Sequence, residues 1–253
     1  MLMFRARRFR WRPVPLLATV LLVVLGLSLA HWQQGRAAQK IALQAKLDAG
    51  NRAAPLLLGP QPLAEADVVA LLYRRVRLTG HFVAAWPVYL DNRPYNGRAG
   101  FYLLMPFQLD GSATHVLVAR GWLPRDPARR DLLPHYGTPA GTVQIEGLVK
   151  RDAGHVMQLG QAAPLRPAAL VQNVDVGQLA AASGLLLQPM VLEQLGPAAN
   201  PADPADPADP LVRDWPAPSL GAERNTGYAF QWYALTVMAL VFFVYTGLRR
   251  GND

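Results

Sequence analysis

Two stretches of the chain, residues 14–32 (VPLLATVLLVVLGLSLAHW) and 228–248 (YAFQWYALTVMALVFFVYTGL), run apolar without a single charge. As a helix rising ~1.5 Å per residue, the shorter one reaches ~28 Å, about the thickness of a bilayer's hydrocarbon core. Each is therefore predicted to be a transmembrane helix. In the second, Tyr228, Trp232 and Tyr233 gather at one end and Tyr245 at the other. Rings with an apolar body and a polar tip settle at headgroup level in this way.

Between them the pattern changes twice. Residues 33–50 (QQGRAAQKIALQAKLDAG) are rich in Ala, Gln, Leu and Lys. These are strong helix formers, so the first helix is predicted to continue to Gly50, with Gly35 as its weak point. From residue 51 to 199 short apolar-polar alternations take over. RRVRLTG turns Val76 and Leu78 one way and Arg75, Arg77 and Thr79 the other, as a half-buried strand does. PVYLDNR, GRAGFYLLMPFQL, THVLVARGWL, GTVQIEGLVK and GLLLQPMVLEQL are further strands, separated by turns at 94–97 and Asp110-Gly111, with a short helix over 174–183. Closely spaced strands with Gly/Pro turns predict an antiparallel barrel or sandwich. The fold class is thus a membrane protein in which two transmembrane α-helices flank a β-rich extracytoplasmic domain with short helices. Residues 200–210 repeat Pro-Ala-Asp, which suits neither helix nor ladder and is read as a surface spacer. Residues 211–227 form a return segment.

Charge adds orientation. The net charge is +8, but Arg5, Arg7, Arg8, Arg10 and Arg12 crowd the basic tail 1–13, and Arg249 and Arg250 lie in the tail 249–253. Basic residues outside the outer ends of both spans place both termini in the cytoplasm and residues 33–227 outside. A cleaved signal ending near Ala30 is the competing reading of the first span, and Arg7-Arg8-Phe9 weakly resembles a twin-arginine signal. The expectation is an uncleaved anchor. No basic stripe with interleaved aromatics appears, so nucleic acid is not an expected partner. With no cysteine, disulfides, thiolate metal sites and cysteine nucleophiles are excluded.

Catalytic signatures are missing: there is no nucleophile elbow, phosphate-binding loop or His-Glu-x-x-His. His81, His115 and His135 are dispersed. His155-x-Met157 reads either as half of a copper site, since imidazole and thioether suit copper, or as a loop histidine beside a core methionine. Asp126, Asp131 and Glu146 read as solvated or paired charges. The unusual cluster is at the outer ends of the two spans. His31, Trp32, Gln33, Arg36 and Lys40 are on the first, and Arg224, Asn225, Tyr228, Gln231 and Trp232 on the second. Such a collar serves either as an interfacial anchor or as a pocket for an anionic amphiphile, such as a haem or a lipid.

In order and spacing these residues resemble the Surfeit-locus protein family, the membrane assembly factors of cytochrome c oxidase, and the proteobacterial branch most. The resemblance runs from Trp32-Gln33, Arg36 and Lys40 through YRRVRLTGHF, the Asn92, Arg93, Gly97 and Gly100 stretch, and Arg120-Gly121-Trp122-x-Pro124. It continues through QNVD with Asn173, LVRDWP with Arg213 and Trp215, and ERNTGYAFQWYAL. It implies a multi-pass protein of a bacterial inner membrane. That protein is not an enzyme; it helps to insert haem a into the catalytic subunit, its partners being that subunit, other assembly factors and the lipid bilayer. Many members carry a histidine, tied to haem, three residues before the tyrosine of the last motif. Asn225 stands there and is a poor iron ligand. His31 is the candidate axial ligand in its place, and haem held without that bond is the other option. A cofactor-free periplasmic scaffold or sensor, and a membrane-anchored hydrolase, are the competing functions.

Overall fold

The computed structural model describes residues 12–129, 132–158, 160–198, 209–215 and 221–249. Arg5, Arg7, Arg8, Arg10, Asp131, Arg250 and all but the last two residues of the 200–210 spacer lie outside them. The elements are α1 (Pro13–Arg52), β1 (Leu56–Leu57), α2 (Glu65–Leu71), β2 (Arg75–Phe82), β3 (Val88–Leu90), β4 (Gly100–Leu109), β5 (Thr114–Pro124), β6 (Val143–Lys150), β7 (Ala169–Val171), α3 (Val176–Ser183), β8 (Leu186–Gln194) and α4 (Ala222–Arg249). They divide into two compact units, Met1–Lys46 with Pro218–Asp253, and Leu47–Ala217.

The first unit is a helix pair. Both α1 and α4 are long and apolar enough to cross a membrane. Leu21, Leu25, Phe230 and Phe242, among many others, are more than half exposed, a surface that water penalises and hydrocarbon does not. Most of the less exposed positions follow alternating steps of three and four: Leu16, Thr19, Val23, Gly26, Ala30, Gln33, Ala37 and Lys40 on α1, and Asn225, Ala229, Trp232, Thr236, Ala239 and Phe243 on α4. That is the seam spacing of paired helices. Small residues bring the backbones close, and a Cβ on Gly26 would strike the Thr236 hydroxyl. Gly35 leaves α1 unbroken.

The second unit contains a closed barrel. Hydrogen-bonded neighbours run β2–β6–β8–β5–β4, and β4 returns to β2 through Gly80↔Leu109, His81↔Gln108 and Phe82↔Phe107. Gly80 pairs with β6 on one side and β4 on the other, and a Cβ there would strike the Gln108 carbonyl, so only glycine fits this corner. Pairings within the ring are antiparallel except β5–β8, which is parallel and crosses over through β6, β7 and α3. β1 adds to β2, β3 to β4 and β7 to β3.

Alternation decides what lies inside. Val76, Leu78, Met105, Phe107, Val116, Val118, Val143, Ile145, Met190 and Leu192 fill the barrel, with Val68 of α2 packed on them. The opposite faces of β4, β5 and β8 are covered as well, by Leu179 of α3, Val88 and Leu90 of β3, and Trp215. β4 and β5 are therefore buried on both faces and read as apolar runs, whereas β2 keeps a solvent face.

Candidate functional site

Two groups of sequence-selected residues are brought together, one in each unit. In the helix pair, the polar end of the seam is closed by hydrogen bonds across it. Asn225 Nδ2 donates to Gln33 Oε1 at 2.6 Å, and Lys40 Nζ donates to Asn225 Oδ1 at 2.7 Å. Tyr233 Oη donates to Gln34 Oε1 at 3.1 Å. Both ends of the Asn225 amide are thus engaged, and Lys40 with it.

The other collar residues lie on the sides of the pair. Leu22, Leu25, Leu29, Trp32 and Arg36 form one stripe of α1, spaced three and four apart. Arg224, Tyr228, Gln231, Leu235, Met238 and Phe242 form the matching stripe of α4. Their apolar parts line one groove of about 330 Å³, made by Leu22, Leu25, Gly26, Trp232, Leu235, Met238, Ala239 and Phe242. Trp32, Arg36, Arg224, Tyr228 and Gln231 continue the two stripes beyond the groove on the same flank, all exposed. Among the described residues Arg36 donates to Gln39 Oε1, at 3.4 Å. His31 belongs to a different stripe, with Val24, Leu27 and Gln34, on the flank of the Tyr233–Gln34 bond. The collar drawn from the sequence as one cluster is therefore three things: a hydrogen-bonded seam (Gln33, Lys40, Asn225), a cationic and aromatic flank above an apolar groove (Trp32, Arg36, Arg224, Tyr228, Gln231, Trp232), and His31 on the other side.

Haem a, the group the resemblance implies, can be tested against this donor set. Guanidinium groups suit its carboxylates, and aromatic rings and the groove suit its hydrocarbon. Among the described residues no imidazole lies on this flank of the helix pair to meet its iron: His31 faces elsewhere, and Asn225 is tied into the seam. The flank fits the periphery of the group and not its metal.

In the second unit the motif residues hold loops to the barrel. β5 carries one extra residue against β4, since Leu103 faces Gly121 while Leu104 faces Ala119. Arg120 is that residue, and a bulge re-aims its side chain. It turns inward, 1% exposed, with its guanidinium 4.4 Å from the Phe82 ring centre and 5.5 Å from that of Tyr136. It donates to Thr138 Oγ1 and the Gly137 carbonyl, each at 3.0 Å. Burial pushes its pKa down to about 10.

Gly121 follows with φ +156°, and a Cβ there would lie 2.8 Å from Leu211 Cβ. This close approach lets residues 211–215 lie along β5 past the point where β8 stops pairing. Trp122 and Val212 exchange backbone bonds of 2.7 and 3.0 Å. Trp122 Nε1 donates to the Arg93 carbonyl at 2.7 Å, and its ring meets Tyr95, whose hydroxyl donates to Asp214 Oδ2 at 2.9 Å. Trp215 Nε1 donates to the Gln194 carbonyl at 2.7 Å, and its ring stands edge-on to Tyr102. Arg213 pairs with Asp209.

Arg93 donates to the Gly154 and Gln172 carbonyls, and burial lowers its pKa. Asn173 grips Val156 through both its N–H and its carbonyl. Asn92 and Gly97 take left-handed turn positions, Gly100 pairs with Pro124, and a Cβ on Gly100 would strike the Trp122 ring. Of the carboxylates named from the sequence, Asp126 caps the turn at Ala128 and Arg129, and Glu146 pairs with Arg75 and Arg77. Reasoning from sequence did not anticipate the Gln33–Asn225–Lys40 bonds, the Arg120 bulge or the strap at 211–215. The one signal for the bulge was a glycine and an arginine inside an otherwise apolar strand.

Comparison with known proteins gives the family. The SURF1 family model matches residues 20–237. A SURF1-like protein of Monosiga brevicollis is 26% identical over 253 aligned residues, covering 90% of this chain and 86% of that protein. The cytochrome oxidase assembly protein SHY1 of Saccharomyces cerevisiae is 30% identical over 118 residues, 46% of this chain and 30% of its own. A SURF1-like protein of Rickettsia bellii is 33% identical over 109 residues, 42% and 41% of the two chains. The match takes in most of the first apolar segment, the whole barrel and about half of the second apolar segment, and on that extent the chain belongs to the SURF1 family.

Proposed function

We propose that this chain is an assembly factor for cytochrome c oxidase in a bacterial inner membrane, where it receives haem a and passes it to the catalytic subunit. Family membership over residues 20–237, with one relative named as a cytochrome oxidase assembly protein, is the observation that carries the assembly role. Both termini then lie in the cytoplasm, since arginines cluster before α1 and a pair of them, Arg249 and Arg250, stands at the far end of the second apolar segment, and the barrel lies in the periplasm. The role is that of a binding and handing-on protein rather than an enzyme. Its partners are the oxidase's catalytic subunit and other assembly factors.

The haem step is supported by the flank of the helix pair. An amphiphile with two carboxylates and a long hydrocarbon tail matches Arg36 and Arg224 above an apolar groove. A charge-assisted bond from a guanidinium contributes ~1.5–3 kcal/mol, less where water screens it. Held by its edges and not by its iron, such a group is released more readily than one fixed by an axial bond, which suits transfer. A second reading, a scaffold for oxidase subunits without any cofactor, is favoured by the engagement of both ends of the Asn225 amide. Deletion of the gene tests both. Lower oxidase activity with unchanged subunit message is expected, with haem a falling further than subunit protein. Loss of subunit protein and haem a in equal measure would favour the scaffold. Normal oxidase activity in the deletion strain would contradict the assembly role itself.

A further inference from the structure

One pair of side chains singled out in the sequence has no part in the barrel or the helix pair. His155 and Met157 lie in the segment after β6, and Met157 is 82% exposed although its thioether belongs in a core by composition. The backbone between them is held by Asn173. Asn173 Oδ1 accepts from Val156 N at 2.8 Å, and Asn173 Nδ2 donates to the Val156 carbonyl at 2.9 Å. A residue whose N–H and C=O are bonded from the same side has extended backbone, because only there do the two groups point together. Exposure alternates accordingly: His155 and Met157 are exposed, while Val156 and Gln158 are partly covered. In an extended segment side chains two apart project to the same side, with Cα atoms ~6.6 Å apart. An imidazole and a thioether on such a base can reach one ion between them.

We propose that His155 and Met157 form an exposed docking site for copper(I). Thioether sulfur selects soft copper(I) among the biological first-row metals, and imidazole nitrogen suits the same ion. The chain has no cysteine to compete for it. Among the described residues no group of three or more His, Asp or Glu side chains is placed to hold a metal, so carboxylate-loving divalent ions have no comparable seat. Two donors on an open surface leave the ion's remaining positions free for ligands of a recipient, which makes this a transfer site rather than a store. Binding uses lone pairs only, so the ion enters and leaves as copper(I) with no change of oxidation state. Asn173 acts here as a positioning residue, fixing the backbone from which both donors project.

The proposal does not depend on the haem reading. The test uses the full chain in detergent under anaerobic conditions, titrated with copper(I) against a chromophoric copper(I) chelator and, separately, with silver(I) as a redox-silent probe. Expected are uptake of one ion, a shifted Met157 methyl resonance, and weakening by roughly tenfold or more in both His155→Gln and Met157→Leu. His81→Gln, which removes an exposed imidazole elsewhere, should change nothing. Circular dichroism and unfolding curves of these surface variants should match the parent. Failure to compete for copper(I), or uptake left unchanged by both His155→Gln and Met157→Leu, would overturn the proposal.

Discussion

Replacing Gly121 by alanine tests how the strap at 211–215 is held. The glycine sits at φ +156°, and a Cβ would lie 2.8 Å from Leu211 Cβ and 3.0 Å from the Val212 carbonyl. Two responses are open. The backbone can keep its course and accept the strain, ~1–3 kcal/mol for a non-glycine residue in a sparsely populated region, plus the steric overlap. Alternatively the strap can lift. It would then lose two backbone hydrogen bonds to Trp122, the bond from Trp215 to Gln194 and the burial of Leu211. At ~1 kcal/mol per bond and ~2 kcal/mol for the leucine, lifting costs about 5 kcal/mol. The cheaper response prevails, so Gly121→Ala should destabilise by about 2–4 kcal/mol. Chemical unfolding of the protein in detergent, followed by tryptophan fluorescence, measures this. Gly111→Ala is the control, because its φ of +70° carries backbone strain with open space around the Cβ. It should cost ~1 kcal/mol. Equal effects at the two glycines, or less than ~0.5 kcal/mol at Gly121, would refute the argument that close packing of the strap demands this residue.

Other expectations concern buried polar groups. Asn225→Ala removes two bonds across the helix seam and should weaken the pair by about 1–2 kcal/mol, read as a lower unfolding midpoint while the far-ultraviolet spectrum is kept. Arg120→Met replaces a buried cation that has no ion-pair partner among the described residues by an apolar chain of similar length. Barrel stability should stay within ~1 kcal/mol of the parent or rise, while protease cleavage near residues 137–138 increases because their two hydrogen bonds are gone. A loss of more than ~3 kcal/mol in Arg120→Met would show that the guanidinium itself holds the barrel.

What could be read from the sequence was what depends on local period. The two apolar runs needed only length and lack of charge. β2 and β6 showed their alternation because one face of each meets water, and the apolar runs of β4, β5 and β8 still stood out between turns. α2, β1 and β7 escaped notice. They span seven, two and three residues; β1 and β7 exist through long-range pairing, as β7 does on β3, which no local pattern encodes, and α2 is only two turns long. The closure of β2 onto β4 was hidden for the same reason, although Gly80 marked the corner.

The candidate site shows the same limit. Tyr228, Gln231, Trp232 and Leu235 could be placed on one face by spacing alone, and they line one side of α4. Which face of α1 opposes them depends on how the two helices pack, and there Gly26 against Thr236 decides. That packing sends His31 to the far flank and draws Asn225 and Lys40 into the seam. Likewise Arg120 could be singled out as part of a motif, but its inward turn rests on a bulge that only the register with β4 creates.

The division of the collar offers the most direct test of the proposed role. In a deletion strain, the gene is restored as the parent, as Arg36→Ala with Arg224→Ala, or as His31→Ala, and the haem a absorbance of membranes is measured per amount of oxidase subunit. The account predicts that the parent and His31→Ala restore the signal in full, while the doubly substituted flank, made and inserted at normal levels, leaves it several-fold lower. Full restoration by the flank variant, or failure of His31→Ala alone, would contradict it.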